Sequence, residues 1–417
     1  MNDYAAFLAE DERTREEICS HLGETMLVEA GAGTGKTRSL VDRVVSLVLG
    51  GTPVESIVAI TFTEKAAAEL RERVRSALED QLVQGTGDTA PLETALESLG
   101  RAQISTIHAF CLGLLRAFAP EAGVDPDFEI QDAVLAERRF QDRWRGYLED
   151  LGREPDAVQV VDRVLSLGLA TRDIGTLAWA LWSQQHLASL LEKQPLVVAG
   201  AAWPDLGEMR QVLSRLSLAS VSGEDKLRMA VERVIELVER LLADPENREV
   251  LLAGPAPVLA QSFHRGRQQD WGGAARIAEV RDTATTACQA LAAALQALRS
   301  EALAALVPYL VRFVRQDATA RNLEGSLVFD DLIVRVRDLL ESSPTVRTAL
   351  RERHQALLID EFQDTDPLQV DIALSFGCIG AGAPIDPGRL FLVGDPKQSI
   401  YRFRRADMAI YAAPRAR

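Results

Sequence analysis

Four carboxylates, Asp360, Glu361, Asp364 and Asp366, crowd into LLIDEFQDTDPLQ, Leu357 to Gln369, straight after three apolar residues that read as a buried strand end. Like charges repel and a carboxylate is costly to take out of water, so a cluster of this kind calls for a cation. A second stretch explains where one would come from. AGAGTGKT, Ala30 to Thr37, fits G-x-x-x-x-G-K-[ST] with alanine at the first glycine position. Glycines at 31, 33 and 35 allow backbone N–H groups along Ala32, Gly33, Thr34 and Gly35 to turn toward phosphate oxygens, and a following helix N-terminus adds partial positive charge. Lys36 would reach the β- and γ-phosphates, and the Thr37 hydroxyl would bind Mg²⁺. Asp360 then suits the same ion, directly or through water, and Glu361 is placed to orient and deprotonate an attacking water. The plainer readings are a glycine-rich helix cap at Ala30–Thr37 and an exposed acidic loop after Asp360. The loop accounts for Asp364 and Asp366 better than for Asp360.

These residues need a scaffold that delivers them to one place. TMLVEAGAGTGKTRSLVDRVVSLVLGG reads as strand, glycine turn, then a helix ending at Gly50 and Gly51. SIVAITFT is a second strand, EKAAAELRERVRSALED a strong helix, and AQISTIHAFCLGLLRAF a third strand-to-helix passage. QALLIDEFQ and GRLFLVGDPKQS are two more short apolar strands ending in polar residues. Alternating strands and helices with polar strand ends describe an α/β fold, a doubly wound parallel sheet. Between residues 125 and 324 the texture changes to Leu-, Ala-, Arg- and Glu-rich segments of helical period, such as VERVIELVERLLADP. This predicts a large all-α insertion separating residues 1–124 from 325–417. All five tryptophans fall inside it and read as packing anchors rather than base-stacking platforms.

The chain has 417 residues, enough for two or three cores, and is 47% apolar and 26% charged, which is the profile of a globular protein. No run approaches the ~20 apolar residues of a membrane span, and the acidic N-terminus lacks an apolar signal core, so a cytoplasmic location without membrane partners is expected. The four cysteines are widely separated and form no metal or redox motif. A net charge of −15 argues against nucleic acid as a partner only globally, because Lys397, Arg402, Arg404, Arg405, Arg415 and Arg417 face the single acid Asp407 near the end.

AGAGTGKTR, AITFTEKAAAELRERV, ISTIHAFC, LVFDDLI, LLIDEFQDTDPLQ and GDPKQSIYRFRRAD stand in the order found in UvrD/Rep-like superfamily 1 DNA helicases. The last block and the helical insertion look most like the RecB/AddA-like branch of helicase–nuclease subunits. The resemblance implies a RecA-like P-loop NTPase motor domain using ATP and Mg²⁺, with 3′-to-5′ movement along single-stranded DNA and duplex DNA as substrate. A candidate partner, on the same grounds, is a second helicase–nuclease subunit. The resemblance also implies a γ-phosphate sensor at Gln398 and an adenine-packing arginine at Arg38. Strand contacts are implied at Thr61, Phe62, Thr63, His108 and Phe110, and a base-stacking strip at Tyr401, Phe403 and Arg404. For Phe403 core packing, and for His108 a hydrogen bond to a neighbouring loop, stand as alternatives. Asp330 and Asp331 read as structural.

Two departures matter. The adenine-reading glutamine expected ahead of the glycine turn is missing, with Arg13 or Thr14 near its position, and Arg405 stands where many relatives have glycine. The chain also ends ten residues past Asp407, so the expectation is a truncated motor lacking the second motor domain and any nuclease domain. The rival of a different class is a non-enzymatic, ATP-gated module that binds single-stranded DNA. A P-loop ATPase acting on small molecules or protein is a third reading, which TFTEKAA and SIYRFRRAD disfavour.

Overall fold

The computed structural model describes residues 2–31, 33–85, 88–218, 220, 225–254, 258–378 and 384–398. They divide between two compact units, the described residues of 1–133 with those of 320–417, and the described residues of 134–319.

The first unit is built on five parallel strands in the order β1 (Met26–Glu29), β7 (Leu390–Gly394), β6 (Ala356–Ile359), β2 (Ile57–Thr61) and β3 (Gln103–Thr106). The register aligns Val28 with Val393, Leu392 with Ile359, Ile359 with Ile60, and Ile60 with Ser105, which brings the strand ends level. The three central strands are buried along their whole length and the two edge strands only in part. That is why β6, β7 and β2 read as unbroken apolar runs rather than alternating ones. Successive side chains still point to opposite faces. Ala356 and Leu358 join one core with Ile57, Ala59, Phe391 and Val393, whereas Leu357 and Ile359 join the other with Val58, Ile60, Leu390 and Leu392.

Helices α1 (Asn2–Ser20), α2 (Lys36–Leu49), α3 (Glu64–Gln84) and α4 (Ala90–Ser98) cover the first face. Helix α5 (Ile107–Ala117) and the helices Phe329–Ser342, Pro344–Arg353 and Pro367–Gly377 cover the second. Helix α2 stops before Gly50 and Gly51, the latter at φ 91°. Helix α1 is fastened by one buried side chain. The Arg43 guanidinium donates to the carbonyls of Ile18, His21, Leu22 and Glu24, at 2.8, 2.9, 3.1 and 3.0 Å, and so satisfies acceptors that a helix end leaves over. A short two-stranded pairing, β4 (Glu129–Ile130) with β5 (Ser326–Leu327), belongs to this unit too, as does the buried pair between Arg321 and Asp331. Asp331 also accepts from the Val328 N–H, a structural role in keeping with its reading from sequence.

Every described element wholly within the second unit is a helix, the 3₁₀ segment Gln268–Trp271 included. Its core gathers Phe140, Trp144, Tyr147, Trp179, Trp182 and Phe313 at ring-centroid distances of 4.8 to 6.5 Å. The Trp182 indole donates to Asp317 at 2.5 Å and Trp271 to Asp225 at 3.1 Å, the partner each buried N–H requires. The helix Ala274–Leu323 carries an 18-residue window of mean hydropathy 1.4. By length and composition it could cross a membrane, contrary to the sequence expectation. Its Leu291, Leu298, Leu306, Leu310 and Phe313 are buried in the protein, and about a third of that window is buried in all.

Candidate active site

Because all five strands are parallel, their C-terminal ends lie along one edge, the usual place for a ligand in such a sheet. The order decides which loops meet. The glycine turn follows β1, Asp360 and Glu361 follow β6, and β7 runs between them, so the segment Asp395–Gln398 is inserted between turn and carboxylates. Thr61 to Thr63 and Thr106 to His108 stand at the C-terminal ends of β2 and β3, on the far side of β6.

The glycine turn meets the acidic strand end directly. The Thr37 hydroxyl donates to Asp360 Oδ2 at 3.2 Å, and Lys36 Nζ donates to Glu361 Oε2 at 2.7 Å. Lys36 also reaches Gln398 Oε1 at 3.4 Å. Gly33 and Gly35 hold φ of 75° and 95°, a left-handed conformation that only glycine adopts cheaply, and Gly35 forms the N-cap of α2. Thr34 N–H and hydroxyl both donate to Gly31 O, closing the turn. Arg38 is exposed and lies 3.6 Å from Asp42. Ala32 lies outside the described residues.

These residues fit a magnesium-bound triphosphate. Mg²⁺ takes oxygen ligands and usually keeps several from water and phosphate, using one or two from protein. A hydroxyl and a carboxylate 3.2 Å apart supply such a pair. Among the described residues no group of three or more His, Cys, Asp or Glu side chains is arranged to hold a metal ion. Burial, and then the charge of Glu361, push the Asp360 carboxyl above the usual range, so a cation there would relieve both. Asp364 is raised by the same two causes. Asp395 is lowered, by the Lys397 N–H and then the Gln398 amide, and needs no such ion.

Glu361 itself stands at φ 53°, ψ 43°, the one non-glycine residue at positive φ among those described. Its N–H donates to Asp360 Oδ1 at 3.0 Å. Asp366 is not part of an exposed acidic loop. It is buried and caps the helix Pro367–Gly377, accepting from Gln369 N–H at 3.0 Å with Pro367 in the first turn.

Two contributors escaped the sequence reading. Arg15, rather than Arg13 or Thr14, is the α1 residue that touches the glycine turn. It donates to Thr34 O at 2.6 Å while Asp11 holds its Nε at 3.0 Å, and it lies 3.3 Å from where a side chain on Gly35 would begin. Arg13 lies beside Glu17 and Thr14 bonds Glu10 O within the helix. A donor-rich residue one helical position from the searched site was the available signal. The second is Gln363, whose amide contacts Glu361 and the backbone of Asp395.

A cleft of about 320 Å³ opens beside the carboxylates, lined by Thr61, Phe62, Thr63, His108, Phe329 and Asp360 among others. Phe62 is 40% and Phe329 54% exposed. His108 stacks on Phe329 with centroids 4.0 Å apart, and burial lowers its pKa to about 4, so it is neutral at pH 7. The Thr63 hydroxyl caps α3 by accepting from Ala66 N–H, and Thr61 is buried at the end of β2. Phe110 is 3% exposed and packed edge-on to His354 in the core, so it offers no face to a base. Its apolar neighbours, Ile107, Cys111 and Leu114, repeat at helical spacing and place it on the inward stripe of α5. Tyr401, Phe403 and Arg404 lie outside the described residues.

Residues 11–416 match the model of the UvrD/REP helicase N-terminal domain. Similar curated proteins carry the name of ATP-dependent helicase/nuclease subunits, each the A-type chain. That of Pediococcus pentosaceus is 26% identical over 95% of this chain and 35% of its own length. Those of Moorella thermoacetica and Pelotomaculum thermopropionicum are 31% and 30% identical over 93% and 95% of the chain, and 31% and 35% of theirs. The chain thus spans about a third of the length of the curated relatives it matches. With a glycine turn and paired carboxylates meeting at one end of a parallel sheet, and the family model matching this chain almost from end to end, the chain belongs to the UvrD/REP helicase N-terminal domain family.

Proposed function

We propose that this chain is the nucleotide-binding motor part of an ATP-dependent, 3′-to-5′ DNA translocase or helicase of the UvrD/RecB type. The observation that carries the reading is the meeting of Lys36 with Glu361 and of Thr37 with Asp360. Backbone N–H groups of Ala32 to Gly35 and the N-terminus of α2 would hold the phosphates, with Arg38 toward the base. Thr37 and Asp360 would hold Mg²⁺, which would offset the negative charge of the phosphates. Lys36 would exchange its bond to Glu361 for the terminal phosphates. Glu361, released from that ion pair, would take a proton from the attacking water, and Gln398, already within reach of Lys36, would register the γ-phosphate.

Single-stranded DNA would lie over the ends of β2 and β3, where Phe62, Phe329, His108, Thr61 and Thr63 line the cleft. Phe110 supports the site only from beneath. Tyr401, Phe403 and Arg404 would extend the strand path. In this reading residues 125–324 form an all-α insertion in a motor of residues 1–124 and 325–417. The protein works in the cytoplasm in DNA repair, beside a second helicase–nuclease subunit.

Calorimetry with Mg-ATP and fluorescence anisotropy with a labelled oligonucleotide test the two halves separately. Lys36→Ala should abolish nucleotide binding, and unchanged binding refutes the phosphate site. Oligonucleotide binding should weaken steeply with salt, and no binding at low ionic strength refutes the strand site.

A further inference from the structure

Gln363 sits between two groups that the proposed cycle needs to keep in step. It is buried, and both ends of its amide are engaged. Nε2 donates to Glu361 Oε2 at 2.6 Å, and Oε1 accepts the backbone N–H of Asp395 at 2.8 Å. Asp395 Oδ2 accepts from Gln398 Nε2 at 2.5 Å, Gln398 Oε1 accepts from Lys36 Nζ at 3.4 Å, and Lys36 returns to Glu361 at 2.7 Å. Five residues from three strand ends therefore close a ring of hydrogen bonds. Glu361 and Asp360 also line the cleft that holds Phe62 and His108, so one carboxylate borders both the phosphate side and the aromatic side.

We propose that Gln363 is a positioning residue that couples nucleotide binding to strand binding, by tying Glu361 to the backbone of the segment Asp395–Gln398. The inference rests on the nucleotide and strand sites proposed above. When a phosphate draws Lys36 from Glu361, the carboxylate is held through the Gln363 amide, and any shift of it pulls on Asp395 N–H. Asp395 in turn holds the Lys397 N–H at 2.9 Å and the Gln398 side chain, so the whole segment after β7 follows. A primary amide suits the task because it donates at one end and accepts at the other without carrying charge.

The test is a thermodynamic coupling. Oligonucleotide affinity of the whole chain is measured by anisotropy with and without a non-hydrolysable Mg-ATP analogue, and analogue affinity by calorimetry. Wild type should show a coupling of about fivefold or more. Gln363→Leu, which removes both bonds, should bring it to within about twofold of unity, whatever the variant does to each separate affinity. Gln363→Glu keeps the acceptor for Asp395 N–H and loses the donor to Glu361. Its new carboxyl regains a donor on protonation, so coupling should be absent near pH 8 and partly return toward about pH 6, since burial beside Glu361 raises its pKa. This arm stands even where the leucine variant folds poorly. Full coupling in Gln363→Leu, a flat pH profile in Gln363→Glu, or wild-type affinities that ignore one another overturn the inference. A wild type that binds no analogue or no oligonucleotide instead refutes the underlying functional reading.

Discussion

Glu361 combines a chemical role with a backbone conformation that its type disfavours, and the two can be separated by substitution. At φ 53° a Cβ crowds the following carbonyl, which costs about 1–2 kcal/mol relative to glycine. Glycine in turn loses about 0.5–1 kcal/mol more conformational entropy on folding than alanine. Glu361→Ala and Glu361→Gly both delete the carboxylate that meets Lys36 and Gln363, so those losses cancel in the comparison. What remains is the backbone difference, and glycine should be the more stable variant by about 0.5–1 kcal/mol. At an ordinary position the order is reversed. For a unit of this size about 1 kcal/mol moves the midpoint by about 2–4 °C, so the glycine variant should melt about 1–4 °C above the alanine variant in differential scanning calorimetry. An alanine variant as stable as the glycine variant would show that the left-handed turn at Glu361 carries no strain, and the account of its placement would be wrong.

Thr37→Val removes the hydroxyl that meets Asp360 at 3.2 Å. It should weaken Mg-ATP binding by about tenfold or more, about 1.4 kcal/mol, while Mg²⁺-free nucleotide binding, measured by calorimetry in EDTA, stays as in wild type. Phe329→Ala should weaken oligonucleotide binding by about 1–3 kcal/mol, about five- to 150-fold, with Phe329→Trp restoring it and Phe110→Leu leaving it unchanged when the folded fraction is matched. His354 is buried with Nδ1 unpartnered, and burial and then Arg353 lower its pKa to about 4. The unfolded chain binds that proton near pH 6.5, so stability is complete above about pH 6.5 and falls as pH drops toward about 4. At about pH 5 the loss is about 2 kcal/mol. His354→Leu should therefore flatten the acid limb of a urea-denaturation series, and an unaltered limb refutes the burial argument.

The chemistry-bearing residues were largely legible in the sequence, because phosphate binding imposes a local pattern. A glycine turn, a lysine and a hydroxyl must follow one another within a single strand–turn–helix passage, and a carboxylate must follow an apolar strand. Residues 26–49 and 357–361 carry those patterns without reference to anything distant. The α/β class followed from the same short-range signals. The strand order did not, since nothing local in Leu390–Gly394 says that it runs between the strands of the glycine turn and the acidic cluster. That order alone puts Gln398 and Asp395 against Lys36 and Gln363, and it made Gln363 a bridge. Burial was decided in three dimensions as well. Phe62 and Phe110 are both aromatics at the start of a post-strand segment, yet one faces the cleft and the other fills the core. The difference is a helix face that exists only once α5 packs on the sheet. Arg15 reaches the glycine turn for a similar reason, because Arg43 fastens the end of α1 to α2 across a gap in sequence that no spacing rule spans. Residue type sets what a side chain can do. Which partners it meets depends on packing between segments far apart in the chain.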